Sequence, residues 1–258
     1  MDANNFLSDE GEDRIGEELS DSFDKNIKSA KPFLEIEGTI FDDLLPSYEK
    51  VKNDIVKQIV QKCKWEFTSR ANVYKHEKWM CMPLVSEFYK QTLTDSASDM
   101  LISLRNMLHL LKDSINQEIF NTIIKKLSSE LDIFYYKDLI LHTTFNEGGI
   151  HQLDYDINKY LMPILNEFAI DFNVNSFFRL TNESISLIKM KQGPAILLKG
   201  LIEKALVIEE NRGIIQSSDY DLKTNVYNAK NALKELNIHH LTCEQSRKIL
   251  SLRADLMN

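Results

Sequence analysis

Residues 94–115 read TDSASDMLISLRNMLHLLKDSI. Leu101, Leu104, Leu108, Leu111 and Ile115 recur at spacings of three and four, and Thr94 or Ser96 stands where an N-cap belongs, so the stretch predicts an amphipathic helix. The pattern continues without a clear break through Ile119, Phe120, Ile123, Ile124, Leu127, Leu131, Phe134, Tyr135 and Ile140. Its end is expected in HTTFNEGGIHQLDYDI (142–157), where Gly148 and Gly149 can take the left-handed conformation that closes a helix. The period then restarts at Ile150, Leu153, Ile157 and Leu161.

Working outward, a stripe at Leu44, Tyr48, Val51, Ile55 and Ile59 predicts an earlier helix, with Lys, Asp and Gln on its other face and Pro46 in its first turn. Residues 69–92 are less regular and predict only a short helix around Leu84–Lys90. Further helices are expected at Val174–Met190, Pro194–Val207, Tyr220–Leu236 and Cys243–Leu256. Pro194 after Gly193 suits a first turn, Ser217 or Ser218 can cap the next helix, and Thr242 with Gln245 reads as a capping box. Eight Gly and five Pro in 258 residues fall below average usage of about 7% and 5%, too few for the tight turns of a β-rich fold. The fold class is all-α: helical bundles of antiparallel neighbours joined mostly by short loops.

Charge is distributed unevenly. The chain carries a net charge of −8, and residues 1–24 alone hold nine acids and one base, leaving 30 acids and 30 bases in the remainder. The balanced part has no excess positive field to draw in nucleic acid or anionic lipid, and no helix pairs a Lys/Arg-rich side with a Trp/Phe-rich one. The acidic stretch has too little apolar surface to offset its ordering entropy. Residues 1–35 therefore read as an acidic, disordered segment before a helical region at 36–258, with sub-bundles at about 36–145 and 150–258. No apolar run approaches the roughly 20 residues of a membrane span, and an acidic start does not suit a signal peptide, so a cytosolic chain without membrane insertion is expected.

Candidate chemistry is sparse. Cys63, Cys81 and Cys243 include no Cys-x-x-Cys pair. Phosphate-binding glycine loops, a Gly-x-Ser-x-Gly elbow and His-Glu-x-x-His are all absent. His239, His240 and Cys243 offer one short metal-like spacing, which a polar turn before the capping box explains better. His142 and His151 flank the glycine pair and would serve an undetected helical enzyme; polar residues at a helix junction are the plainer reading. Asp154 and Asp156 are two apart and point to different helix faces, so they cannot share a proton. Asn182-Glu-Ser184 matches a glycosylation sequon that a chain without a secretory signal would not use. Trp79-Met80-Cys81-Met82 reads as core before docking surface. No catalytic, metal or cofactor residue is assigned.

Residues 131–165, LDIFYYKDLILHTTFNEGGIHQLDYDINKYLMPIL, carry a more specific signal. An aromatic-Asn-Glu-Gly-Gly turn (Phe145, Asn146, Glu147, Gly148, Gly149) precedes Gln152-Leu153-x-x-Asp156 and an apolar helix containing Pro163. GPAILLKG at 193–200 and Ile249-Leu250-Ser251-Leu252-Arg253 follow in order. Together, over about residues 100–258, they resemble the C-terminal region of the Rad-fifty-interactor / Tip-twenty family of endoplasmic-reticulum tethering subunits. The resemblance implies a rod of stacked helical bundles on the cytosolic face of the endoplasmic reticulum, capturing Golgi-derived retrograde vesicles. It implies a Sec-twenty-like SNARE N-terminal domain and Zeste-white-ten/Dsl-like subunits as partners, and no catalytic residues. Phe145 to Gly149, Gln152 and Asp156 are the family-motif positions, structural and open to partner contact. Family members are much longer, and the region that pairs with the partner tether subunit has no counterpart in these 258 residues. The alternative is a helical adaptor for a DNA-repair or checkpoint protein, which the family's naming suggests.

Overall fold

The computed structural model describes residues 40–84, 86, 90–210 and 220–256. The expected disorder at 1–35, the helix around Leu84–Lys90 and the Ser217/Ser218 cap lie outside the described residues. Contacts divide the chain into residues 1–54 and 55–258. What is described of the first unit is the leading half of helix α1 (Ile40–Arg70), where Leu44, Leu45, Tyr48 and Val51 are exposed.

The predicted stripe of α1 therefore packs only at its end, at Ile59. Val56, Val60, Cys63 and Phe67 are buried, while Ile55 is exposed. Two apolar rows share this helix; of the predicted one only Ile59 packs against the core, while the later row is buried in it. Pro46 also falls inside the helix, beyond its first turn, in an exposed stretch.

The described residues of the second unit form helices and the segments that join them, without strands. Helices α2 (Ser98–Ser114) and α3 (Gln117–Ile133) are separated at Ile115 and Asn116, where the Asn116 side chain accepts from the Glu118 N–H at 2.8 Å. α2 buries Leu101, Leu104 and Leu108 as predicted. Its N-cap differs from expectation: a 3₁₀ turn at Asp95–Ala97 precedes it, and neither hydroxyl caps, because Ser96 donates to Glu77 and Thr94 to Asp156. α3 runs into a π-helical stretch, Phe134–Leu139, and a 3₁₀ turn, Ile140–His142. Phe134, Tyr135 and Tyr136 are all buried, although three successive residues span about 200° of a regular α-helix; the wider π turn turns all of them inward.

Next come α4 (Glu147–Asp156), a π-helical turn at Ile157–Leu161, and α5 (Met162–Phe168) with Pro163 at its start. Gly148 and Gly149 lie in the first turn of α4, so they do not close the preceding helix, which has already ended at His142. A 3₁₀ turn at Val174–Phe177 leads to α6 (Arg179–Ile188), dividing the single helix predicted there. α7 (Gln192–Glu210) and α8 (Tyr220–Glu235) follow, and Asn237 (φ 59°) takes the left-handed conformation after α8. α9 (Cys243–Leu250) opens on the predicted capping box of Thr242 and Gln245. It stops before Leu256, because Arg253 forms an isolated parallel bridge with Phe145.

α7 packs against α8 and α9, α6 against α3, α4 and α9, and α2 against α5. The shared core is rich in aromatics: Phe67 meets Phe134 edge to face at 5.7 Å, and Tyr74 meets Trp79 at 5.1 Å. Among the described residues, no helix is long and apolar enough to cross a membrane.

Candidate functional site

The motif residues converge on one place, the seam between α4 and the segment 76–94. Asn146 caps α4 by accepting from the Gly149 N–H at 2.7 Å, and its amide nitrogen donates to the Met82 carbonyl at 2.9 Å. The glycines are required by proximity and not by backbone angle. A Cβ on Gly148 would stand 2.3 Å from the Met82 carbonyl oxygen, and one on Gly149 would stand 1.9 Å from that of Trp79. Phe145 stacks its ring 5.9 Å from Trp79, and its backbone accepts from Ala254 and donates to Leu252, each at 2.9 Å. Glu147 is exposed.

One turn further along, Gln152 donates to the Thr92 carbonyl at 2.7 Å and to Asp156 at 2.9 Å. Asp156 accepts from the Thr94 hydroxyl at 2.6 Å, the Thr94 N–H at 3.2 Å and the Tyr74 hydroxyl at 3.0 Å. Only 3% exposed, it has neutral donors alone around it. Burial pushes its carboxyl above the usual carboxylate range, although Thr94, Tyr74 and Gln152 pull the other way. Burial also pushes the Tyr74 hydroxyl well up. A carboxylate this enclosed does not reach a substrate; it fastens the 76–94 segment to α4. Asp154 faces elsewhere, to Asn158 and Lys189, each at 2.7 Å, as its spacing from Asp156 requires.

Two further carboxylates do similar work, and sequence reading missed both. Asp132 accepts from the N–H groups of Leu180 and Thr181 and from the Thr181 hydroxyl (3.2, 2.8 and 2.6 Å), capping α6 from 48 residues away. Burial raises its carboxyl despite these donors. Glu183 accepts from the N–H groups of His239 (2.9 Å), His240 (3.0 Å) and Leu241 (3.0 Å) and lies 2.7 Å from His240 Nδ1. Burial pushes Glu183 up, but these donors outweigh it and hold the carboxyl below its ordinary range. Arg179, which can only donate, lies 3.2 Å from His240 Nε2, so the proton of the neutral ring is on Nδ1 and points at Glu183. Both nitrogens of His240 are thus engaged away from Cys243. No group of three or more His, Cys, Asp or Glu that could hold a metal occurs among the described residues.

His142 faces the Lys137 carbonyl of its own helical segment at 2.8 Å. The Trp79–Met82 cluster divides: Trp79 is core, Met80 and Cys81 are exposed, and Met82 is half-buried.

The remaining feature is apolar. A groove of about 760 Å³ runs between the second half of α1 and α2, lined by Ile59, Cys63, Ile102, Met107, Leu110 and Leu111. Ile102 and Leu110 are 61% and 69% exposed. At one end, Arg70 is forked between Glu66 (2.7 Å) and both oxygens of Asp99 (3.1 Å).

Against known proteins, a sequence model of the RINT-1/TIP-1 family matches residues 5–253. The chain belongs to the RINT-1/TIP-1 family. A RINT1-like protein of Drosophila melanogaster is 20% identical over 219 residues, which is 85% of this chain and 28% of that relative's length. No solved structure matches. The RINT-1/TIP-1 match reaches well upstream of residues 100–258, where the motif resemblance lay, and takes in the whole groove as well as the α4 seam.

Proposed function

We propose that this RINT-1/TIP-1 chain is a non-enzymatic part of an endoplasmic-reticulum tethering subunit. In this reading it helps capture Golgi-derived retrograde vesicles and holds the N-terminal domain of a Sec-twenty-like SNARE in place. Zeste-white-ten/Dsl-like subunits assemble with the tethering subunit through regions other than these 258 residues, and the cytosolic face of the endoplasmic reticulum is its location. Family membership supports the tethering class. The observation that carries the scaffold reading is the α4 seam, where Asn146, Gln152 and Asp156 are all used to lock one chain segment onto another. Such locking suits a protein whose task is to transmit position, since packed helices keep an orientation that a flexible linker loses.

Calorimetric titration of the full chain with the SNARE N-terminal domain tests this. Binding at about 10 μM or tighter is expected, with little dependence on salt. Reversing the charges of residues 1–24 should leave the affinity nearly unchanged. A folded sample that shows no binding heat overturns SNARE holding by this chain.

A further inference from the structure

A second cleft, of about 600 Å³, lies where α4 with its π-helical turn (Ile157–Leu161), the 3₁₀ turn at Val174–Phe177, α6 and the chain after α8 come together. Its rim is made of amides. Asn158, Asn175 and Asn182 line it, and each is steadied by one bond within the chain: Asn182 donates to the Asn175 side chain at 2.9 Å, and Asn158 donates to Asp154 at 2.7 Å. Those bonds use one end of each amide, so the side-chain oxygens of Asn158 and Asn182 and the side-chain nitrogen of Asn175 are left over as acceptors and donor. The charges of the lining are spent on each other, because Lys189 donates to Asp154 at 2.7 Å. The floor is aliphatic. Ile185 and Ile238 are buried, Met190 is half-buried, and Leu236 is 42% exposed just before the left-handed Asn237 (φ 59°).

That chemistry selects a ligand class. Fixed donors and acceptors side by side suit a partner that alternates N–H and C=O groups, and an extended peptide offers these unpaired, whereas a helix has already used its own. A nucleobase is held by stacking on rings, and none of the described lining residues is aromatic. A sugar would bring hydroxyls for the rim but no side chain for the aliphatic floor. An ion would meet no unpaired opposite charge. We propose that this cleft binds an extended, uncharged peptide segment, held through its backbone by the three asparagine amides, with one aliphatic side chain set against Met190 and Leu236. The site is separate from SNARE holding and does not depend on it.

The test follows the side-chain amide resonances of Asn158, Asn175 and Asn182 in the isotope-labelled full chain. The probes are a pool of end-capped hexapeptides of Ser, Thr, Gln, Ala and Gly around one leucine. The tightest binder is then remade with methyl groups on the backbone nitrogens beside the leucine, and again with aspartate in place of the leucine. Expected are shifts of all three amides with a Kd below about 1 mM, a loss on the order of tenfold with either altered peptide, and less than about twofold change across salt. Asn175→Ala/Asn182→Ala removes both partners of one bond together, so neither is stranded, and should bind about tenfold more weakly. Leu236→Asp, at an exposed position, should weaken binding similarly with all three amides in place, and Asn53→Ala, on the exposed face of α1, should change nothing. The proposal is overturned if no peptide moves the amides, if the N-methylated peptide binds as well as its parent, or if both variants bind as the parent chain does. It is also overturned if maltotriose moves the amides and the peptides do not, or if dilution of the free chain alone moves them. SNARE binding without peptide binding leaves SNARE holding in place and removes this site.

Discussion

The α4 seam and the α1–α2 groove distribute their side chains in opposite senses. In the seam, Gln152 and Asp156 are buried and joined by hydrogen bonds to Thr92 and Thr94. In the groove, Ile102 and Leu110 face solvent. A buried polar group left without a partner costs about 1–3 kcal/mol, so the seam residues are bound to the fold that satisfies them. Exposed aliphatic side chains have no such obligation and remain available for contact. The residues most distinctive in sequence are thus architectural, and the exposed apolar surface is made of ordinary Leu, Ile and Met.

The most severe way to break this contrast is Gly149→Ala. With its new Cβ 1.9 Å from the Trp79 carbonyl oxygen, the first turn of α4 cannot keep its place. A loss of about 4 kcal/mol or more in urea unfolding is expected, and a loss under about 1 would mean that the seam is not tightly closed. Asp156→Ala comes next, at about 3 kcal/mol, since it strands the Thr94 N–H, the Thr94 hydroxyl and the Tyr74 hydroxyl together. A milder effect sharpens the account by pH. The carboxyl of Glu183 is held low in the fold, so its contribution is present above the unfolded carboxylate range and lost as pH falls through the folded value. Asp132 and Asp156, held high, act in reverse: their contribution is present at acid pH and lost as pH rises through their folded values. Melting of Glu183→Gln between about pH 6 and 3 should therefore show a smaller acid-side decline than the parent. The least effect is expected from Ile102→Asp/Leu110→Asp, within about 0.5 kcal/mol of the parent; a large loss would make the groove wall core and not surface.

Much of the helical layout was legible from periodicity and caps, as α2, α7, α8 and the Thr242/Gln245 box show. Periodicity failed where a residue's partner is remote. It could not tell which row of α1 is covered, because that depends on elements beginning near Val56. The physics expected of Gly148 and Gly149, a chain reversal, fails because the carbonyls of Trp79 and Met82 that crowd them lie more than 60 residues upstream. Asp132 and Glu183 went unnoticed for the same reason: the N–H groups they hold lie 48 or more residues away. Local spacing carries no trace of such pairings.

The bridge between Phe145 and Arg253 has a consequence in time. Leu252 and Ala254 supply both backbone partners of Phe145, more than 100 residues later in the chain. At roughly 5–20 residues per second, a ribosome needs on the order of 5–20 s to pass from one to the other. For that interval the residue leading into α4 waits without its partners, and the newborn middle of the chain is open to chaperones until its later residues arrive.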